Sequence, residues 1–188
     1  MRSWTTRGVE AARESESVMN DSAPKVLIER LVPAAPRMVF EAWLDPEALR
    51  RFMCPAPGMR VTHAECDARV GGKFLILMNA GGHDLPHRGE YLEIERYTRM
   101  VFTWLSAAAG EGSRVTLRFA EGPGGQTKLT LEHVGLADAE IRSRHHSGWS
   151  NILTELSAFE GFVAQLCASG GLRRFAATRA HAARDRRG

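Results

Sequence analysis

The side chains of this 188-residue chain that could carry chemistry are few and scattered: seven histidines, three cysteines and the acidic residues around them. His145 is the best placed. It lies four residues before Trp149 in a helical stretch, so the two side chains point the same way. There it could hydrogen-bond a ligand, or a buried carboxylate such as Glu90, and act as a general acid or base. The competing assignment is a satisfied core or capping histidine. A metal site finds no support. His63 and Cys66 are three apart on a strand and face opposite sides, His83 and His87 flank a loop, and His145 and His146 diverge by about 100° on a helix. No pairing has zinc-site spacing, and neither a metal nor a cofactor is expected. A nucleophile elbow and a zincin motif are both missing. Cys54, Cys66 and Cys167 are far apart with no Cys-x-x-Cys, which reads as free, inert thiols in a reducing cytosol. Gly71-Gly72 and Gly122 to Gly125 are turns rather than phosphate cradles, because neither sits between a strand and a helix.

The segment Arg144-His145-His146-Ser147-Gly148-Trp149-Ser150 asks for a different explanation. A glycine inside a helix costs about 1 kcal/mol relative to alanine. Its presence beside the largest side chain suggests that something approaches the backbone closely. A gap next to a bulk is how a helix shapes a cavity.

Charge and composition bound the alternatives. Hydrophobic content of 44% and charged content of 25% are ordinary for one globular domain with tails. The net charge is +3, but residues 172–188 hold six arginines against one aspartate. That segment is therefore +5 and the rest −2, so the domain itself is not expected to bind nucleic acid. No apolar run reaches the ~18 residues of a membrane span. The first 22 residues lack the apolar core of a signal peptide. The expected compartment is the cytoplasm, with no membrane partner.

The elements that must position these side chains are legible from periodicity. Residues 1–23 are polar and aperiodic and read as disordered, with Met19 a candidate natural start. Lys25 to Leu31 reads as a strand. Pro36 opens a short helix carrying Val39, Phe40, Trp43 and Leu44, and Asp45-Pro46 caps and opens a second, Glu47 to Phe52. Met59 to Asp67, Lys73 to Asn79, Arg88 to Arg96, Met100 to Ser106, Ser113 to Ala120 and Lys128 to Val134 read as strands, with Ala80 to Pro86 a polar loop. Phe74, Ile76 and Met78 share one face, as do Leu129, Leu131 and His133, the pattern of an antiparallel sheet with one buried side. Asp138 caps a last helix that turns His145, Trp149, Ile152, Leu156, Phe159 and Val163 to one face and ends at Gly170-Gly171. The predicted architecture is α+β: a curved antiparallel sheet wrapped around one long C-terminal helix, over 24–169, followed by a basic tail, 170–188.

Four stretches, in this order, carry a family resemblance: Pro36 to Glu47; Asp67-Ala68-Arg69-Val70-Gly71-Gly72-Lys73-Phe74; Gly89 to Ile94 continued by Met100 to Trp104; and Thr127 to Leu131 with His145 to Trp149. Over roughly 24–165 the chain resembles the bacterial single-domain branch of the activator of heat-shock protein 90 ATPase homologue family, within the START-like helix-grip superfamily. The resemblance implies a helix-grip fold with a pocket lined by Phe74, Met78, Tyr91, Phe102, Trp104 and Trp149. It also contains a departure. Relatives often carry Trp-Trp-Gly-Pro after the second short helix, where this chain reads Arg51-Phe52-Met53-Cys54-Pro55. That segment borders the cavity mouth in the family, so Phe52 and Met53 join the candidate ligand-binding residues.

Three functions follow as expectations. The first is a module that binds a small hydrophobic or aromatic molecule between the sheet and the C-terminal helix. The second is a cyclase- or hydrolase-like enzyme using His145 or Glu90. The third, following the family name, is a chaperone ATPase co-activator. It ranks last, because the 23-residue lead is too short for the additional domain that eukaryotic activators use for chaperone contact. Dimerisation through sheet edges or the helix stays open.

Overall fold

The computed structural model describes residues 24–158. The expectations for residues 1–23, for Phe159 and Val163, for Cys167, and for the helix end and basic tail lie outside the described residues. Within them the chain order is β1 (Val26–Val32), α1 (Pro36–Ala42), α2 (Pro46–Phe52), β2 (Arg60–Cys66), β3 (Lys73–Ala80), β4 (His83–Glu95), β5 (Arg99–Thr103), β6 (Arg114–Glu121), β7 (Thr127–Val134) and α3 (Ala139–Ser157). The seven strands form one curled antiparallel sheet in the order β1-β7-β6-β5-β4-β3-β2. Only β1 and β7 are paired across the length of the chain, Ile28 opposite Leu131. The fold is the α+β helix-grip arrangement.

Alternation decides which face is buried. Phe74, Ile76 and Met78 of β3, Val115, Leu117 and Phe119 of β6, and Leu129, Leu131 and His133 of β7 all point to the concave side. Trp149, Ile152, Leu153 and Leu156 of α3 pack into it. The short helices start where their sequence dictates. Proline opens both, and the Asp45 carboxylate accepts the Glu47 N–H at 2.9 Å. Asp138 does the same for α3, accepting from Ile141 N–H at 2.8 Å. Long-range hydrogen bonds help to pin α3. Arg30 of β1 donates to Thr154 Oγ1 at 3.3 Å, and Asn151 donates to the Pro55 carbonyl at 2.8 Å.

One expected element differs. Ala80 to Pro86 is not a loop: Gly81-Gly82 alone turns the chain, both at positive φ, and β4 begins at His83. Pro86 is tolerated inside β4 because of where its missing donor points. Arg88 donates across to Leu105, so Pro86, two residues earlier, faces the same side, beyond the last residue that pairs there.

Candidate functional site

Aromatic side chains from both layers converge under α3. Phe74 of β3 contacts Tyr91 of β4 at 5.5 Å between ring centroids, Phe102 of β5 at 5.6 Å and Trp104 at 6.0 Å. Trp104 in turn meets Trp149 of α3 at 4.8 Å. Phe74 reaches this position because residue 89 is glycine: a Cβ there would lie 2.4 Å from the Phe74 ring and 2.0 Å from the Thr103 carbonyl. The cluster borders a void of about 10 Å³, close to the space of one water. Trp104, Phe74, Tyr91, Phe102 and Met53 line it, together with Trp43, Leu49 and Ile76. No charged side chain is among the eight. Trp149, Met78 and Phe52 stand behind this wall, all buried, with Phe52 against Trp43 at 5.2 Å. The gap over Gly148 is filled: Pro55 Cβ lies 3.3 Å from where an alanine methyl would sit. Proline, rather than a cavity, is what approaches the helix.

A buried hydrogen-bond chain runs beside the void. Trp149 Nε1–H donates to His133 Nδ1 at 3.0 Å. His133 Nε2 lies 3.0 Å from Ser113 Oγ, whose hydroxyl donates to the Trp104 carbonyl. Chemistry fixes the direction of every link. Indole only donates and a carbonyl only accepts, so Nδ1 of His133 must be the acceptor and Nε2 carries the hydrogen. His133 and Ser113 have the spacing of a base–nucleophile pair, but the nitrogen facing the hydroxyl already holds a proton. The pair cannot activate the serine. Burial, reinforced by His145 nearby, pushes the His133 pKa down to about 3 and keeps the ring neutral.

His145 does not meet Glu90. It is half-buried, with Nδ1 2.8 Å from its own helix's Ile141 carbonyl and its ring 5.1 Å from that of His133. Glu90 lies opposite Lys73 and alternates with inward Tyr91, which puts it on the outer face of the sheet. The helix turn supplies His145 with a partner that sequence spacing could not reveal. Burial disfavours the thiolate at both described cysteines. Cys66 donates to the Leu44 carbonyl at 3.0 Å and accepts from the Tyr91 hydroxyl, and burial pushes its pKa up to about 11. Burial likewise raises Tyr91 and Cys54. Among the described residues no three metal-binding side chains converge, and no helix is long and apolar enough to cross a membrane. A larger, open groove of about 530 Å³ crosses β2, β3 and β4. Its side chains include two acids, Glu65 and Asp67, and two bases, Lys73 and Arg88, which offset each other.

Sequence reasoning missed Trp43, Leu49 and Ile76 as wall residues, and His133 and Ser113 as the polar support. The signal for His133 was present: it continues the inward Leu129, Leu131 alternation, and a histidine on a wholly buried face needs partners.

Comparison with known proteins places this geometry. The activator of Hsp90 ATPase homolog 1-like protein family matches residues 33–160. A comparison with curated protein sequences gives no match. Solved structures give many. A protein from Chromobacterium violaceum is 28% identical, with 72% of this chain and 96% of that chain covered and a TM-score of 0.65. The AHSA1-like protein from Aeromonas hydrophila is 25% identical, with 78% and 94% covered and a TM-score of 0.63. An HSP90 activator from Plasmodium falciparum is 27% identical, with 73% and 96% covered and a TM-score of 0.58.

Proposed function

Since the chain belongs to the activator of Hsp90 ATPase homolog 1-like protein family, we propose that it is a ligand-binding module of that family, taking a small apolar or aromatic molecule between the sheet and α3. The observation that carries this reading is the aromatic wall of Phe74, Tyr91, Phe102 and Trp104 around a void with no charged lining, the composition of a small-molecule site. The void is small, so the ligand enters by displacing side chains. Met53, unbranched and flexible, sits where relatives carry bulkier aromatics and is the natural one to yield. Binding without turnover is favoured because His133 is held in the unreactive tautomer and Glu90 lies on the far face. The free thiols at Cys54 and Cys66 suit a reducing cytoplasm. Titration with a hydrophobic fluorescent probe should quench tryptophan emission and raise the melting temperature. Unchanged emission and melting would sink the proposal.

A second reading is chaperone ATPase activation, favoured by the likeness to the P. falciparum HSP90 activator over 96% of that chain. Stimulation of an Hsp90 ATPase by the purified protein would support it, and no stimulation at stoichiometric binding-competent concentrations would exclude it.

A further inference from the structure

The buried polar groups around the void can be counted out one by one. Trp149 Nε1–H is used by His133, His133 Nε2–H by Ser113, and the Ser113 hydroxyl by the Trp104 carbonyl. The Tyr91 hydroxyl is used by Cys66, and the Cys66 thiol by the Leu44 carbonyl. One donor is left over. Trp43 is 3% exposed, its Nε1 is fully buried, and among the described residues no acceptor lies within hydrogen-bond reach of it. Trp43 is also one of the eight residues that line the void.

A buried donor without an acceptor is a standing free-energy cost, and it is relieved when an acceptor arrives. The site thus offers one uncommitted N–H, carried by a lining residue of an otherwise satisfied, uncharged, aromatic wall and covered until side chains yield. An anion would find no countercharge, and a ligand donor would find no open acceptor among these groups. We infer that the occupant is a neutral, largely aromatic molecule bearing a carbonyl oxygen, and that the indole N–H of Trp43 donates to that oxygen. The inference rests on the apolar-ligand reading above and adds the polar handle that orients the ligand. Trp43 closes α1, packs on Phe52 of α2 and meets the Trp149 ring of α3 at 6.4 Å, so the handle lies where the short helices adjoin α3.

The test uses two probes of nearly equal shape, acetophenone and α-methylstyrene, which differ in having C=O or C=CH2. Each is titrated into the ¹⁵N-labelled full chain and followed by NMR. The expected result is roughly tenfold tighter binding of the ketone, with the Trp43 indole cross-peak moving for the ketone and staying for the hydrocarbon. In Trp43→Phe, which keeps an aromatic ring but removes the N–H, the two affinities should become equal. Equal affinities in the wild-type protein, or a preference that survives Trp43→Phe, would overturn the Trp43 assignment while leaving an apolar site in place. If Trp43→Phe does not fold, the wild-type cross-peak decides alone. Failure of both probes to bind would overturn the handle and the apolar-ligand reading together.

Discussion

His133 sits in an environment far from what its chemistry prefers in water. Its folded pKa near 3 lies far below the ordinary value, so the unfolded chain takes up a proton at a pH where the folded protein does not. Stability from this group is therefore fully present above about pH 6.5 and is lost as pH falls towards 3, at roughly 1.4 kcal/mol per pH unit once well below 6.5. His87, lowered mainly by burial, acts in the same sense. Urea unfolding at pH 7.5 and 5.5 should show lower stability at the acid value. His133→Gln, which stays neutral, should flatten the dependence, and a slope unchanged by that substitution would refute the assignment. Trp149→Phe keeps the contact with Trp104 but strands His133 Nδ1, and should cost about 1–3 kcal/mol in the same assay. Periodicity made His133 legible as an inward residue. Its tautomer was beyond reach, because that depends on Trp149 and Ser113, which only the fold brings to its two nitrogens.

At the scale of elements, the junction between α3 and the segment after α2 repays attention. Gly148→Ala gains about 1 kcal/mol of helix propensity but presses a methyl on Pro55 at 3.3 Å. Asn151 holds Pro55 in place through its carbonyl, so the two effects should nearly cancel in the wild-type background. In Asn151→Ala the proline can retreat, and the same Gly148→Ala change should stabilise by about 1 kcal/mol. A double-mutant cycle with no coupling between the two sites would contradict this account. Gly89→Ala has no such escape, since a carbonyl and the Phe74 ring both occupy the space, and loss of cooperative thermal unfolding or a fall of several degrees in melting temperature is expected. Element types and caps could be read from the chain: proline at the first helical turn, aspartate before it, and alternation along β3, β6 and β7. The start of β4 could not, because Pro86 and its polar neighbours look like a loop until the end of β5 shows that no partner needs that N–H. Gly148 was legible as a point of close approach, but the approaching group, Pro55, lies more than ninety residues away and local patterning is blind to it.

Across the whole molecule, the sheet is completed only when β1 meets β7, so the first strand of the described fold waits for the last. Loop closure over that distance makes folding slow, and stopped-flow refolding should fall in the range of roughly milliseconds to seconds. A microsecond phase carrying the full amplitude would argue against closure by β1 as the late step. The overall architecture followed from order and alternation, but the aromatic wall joins residues from three strands and three helices. Its closed state depends on how those side chains fill each other's gaps, which no single stretch encodes. The same wall makes the molecule mechanically lopsided. Trp149 grips Trp104 twice, once ring against ring and once through His133 and Ser113 to the Trp104 carbonyl, which forms a closed circuit from helix to sheet and back. Sliding α3 along the sheet would break both links that Trp149 makes, to the Trp104 ring and to His133. The short-helix side meets α3 through the Asn151–Pro55 bond, the Pro55–Gly148 contact and the Trp43–Trp149 ring pair. If the protein has a door, α3 is its frame, and the leaf is the stretch from α2 to Pro55.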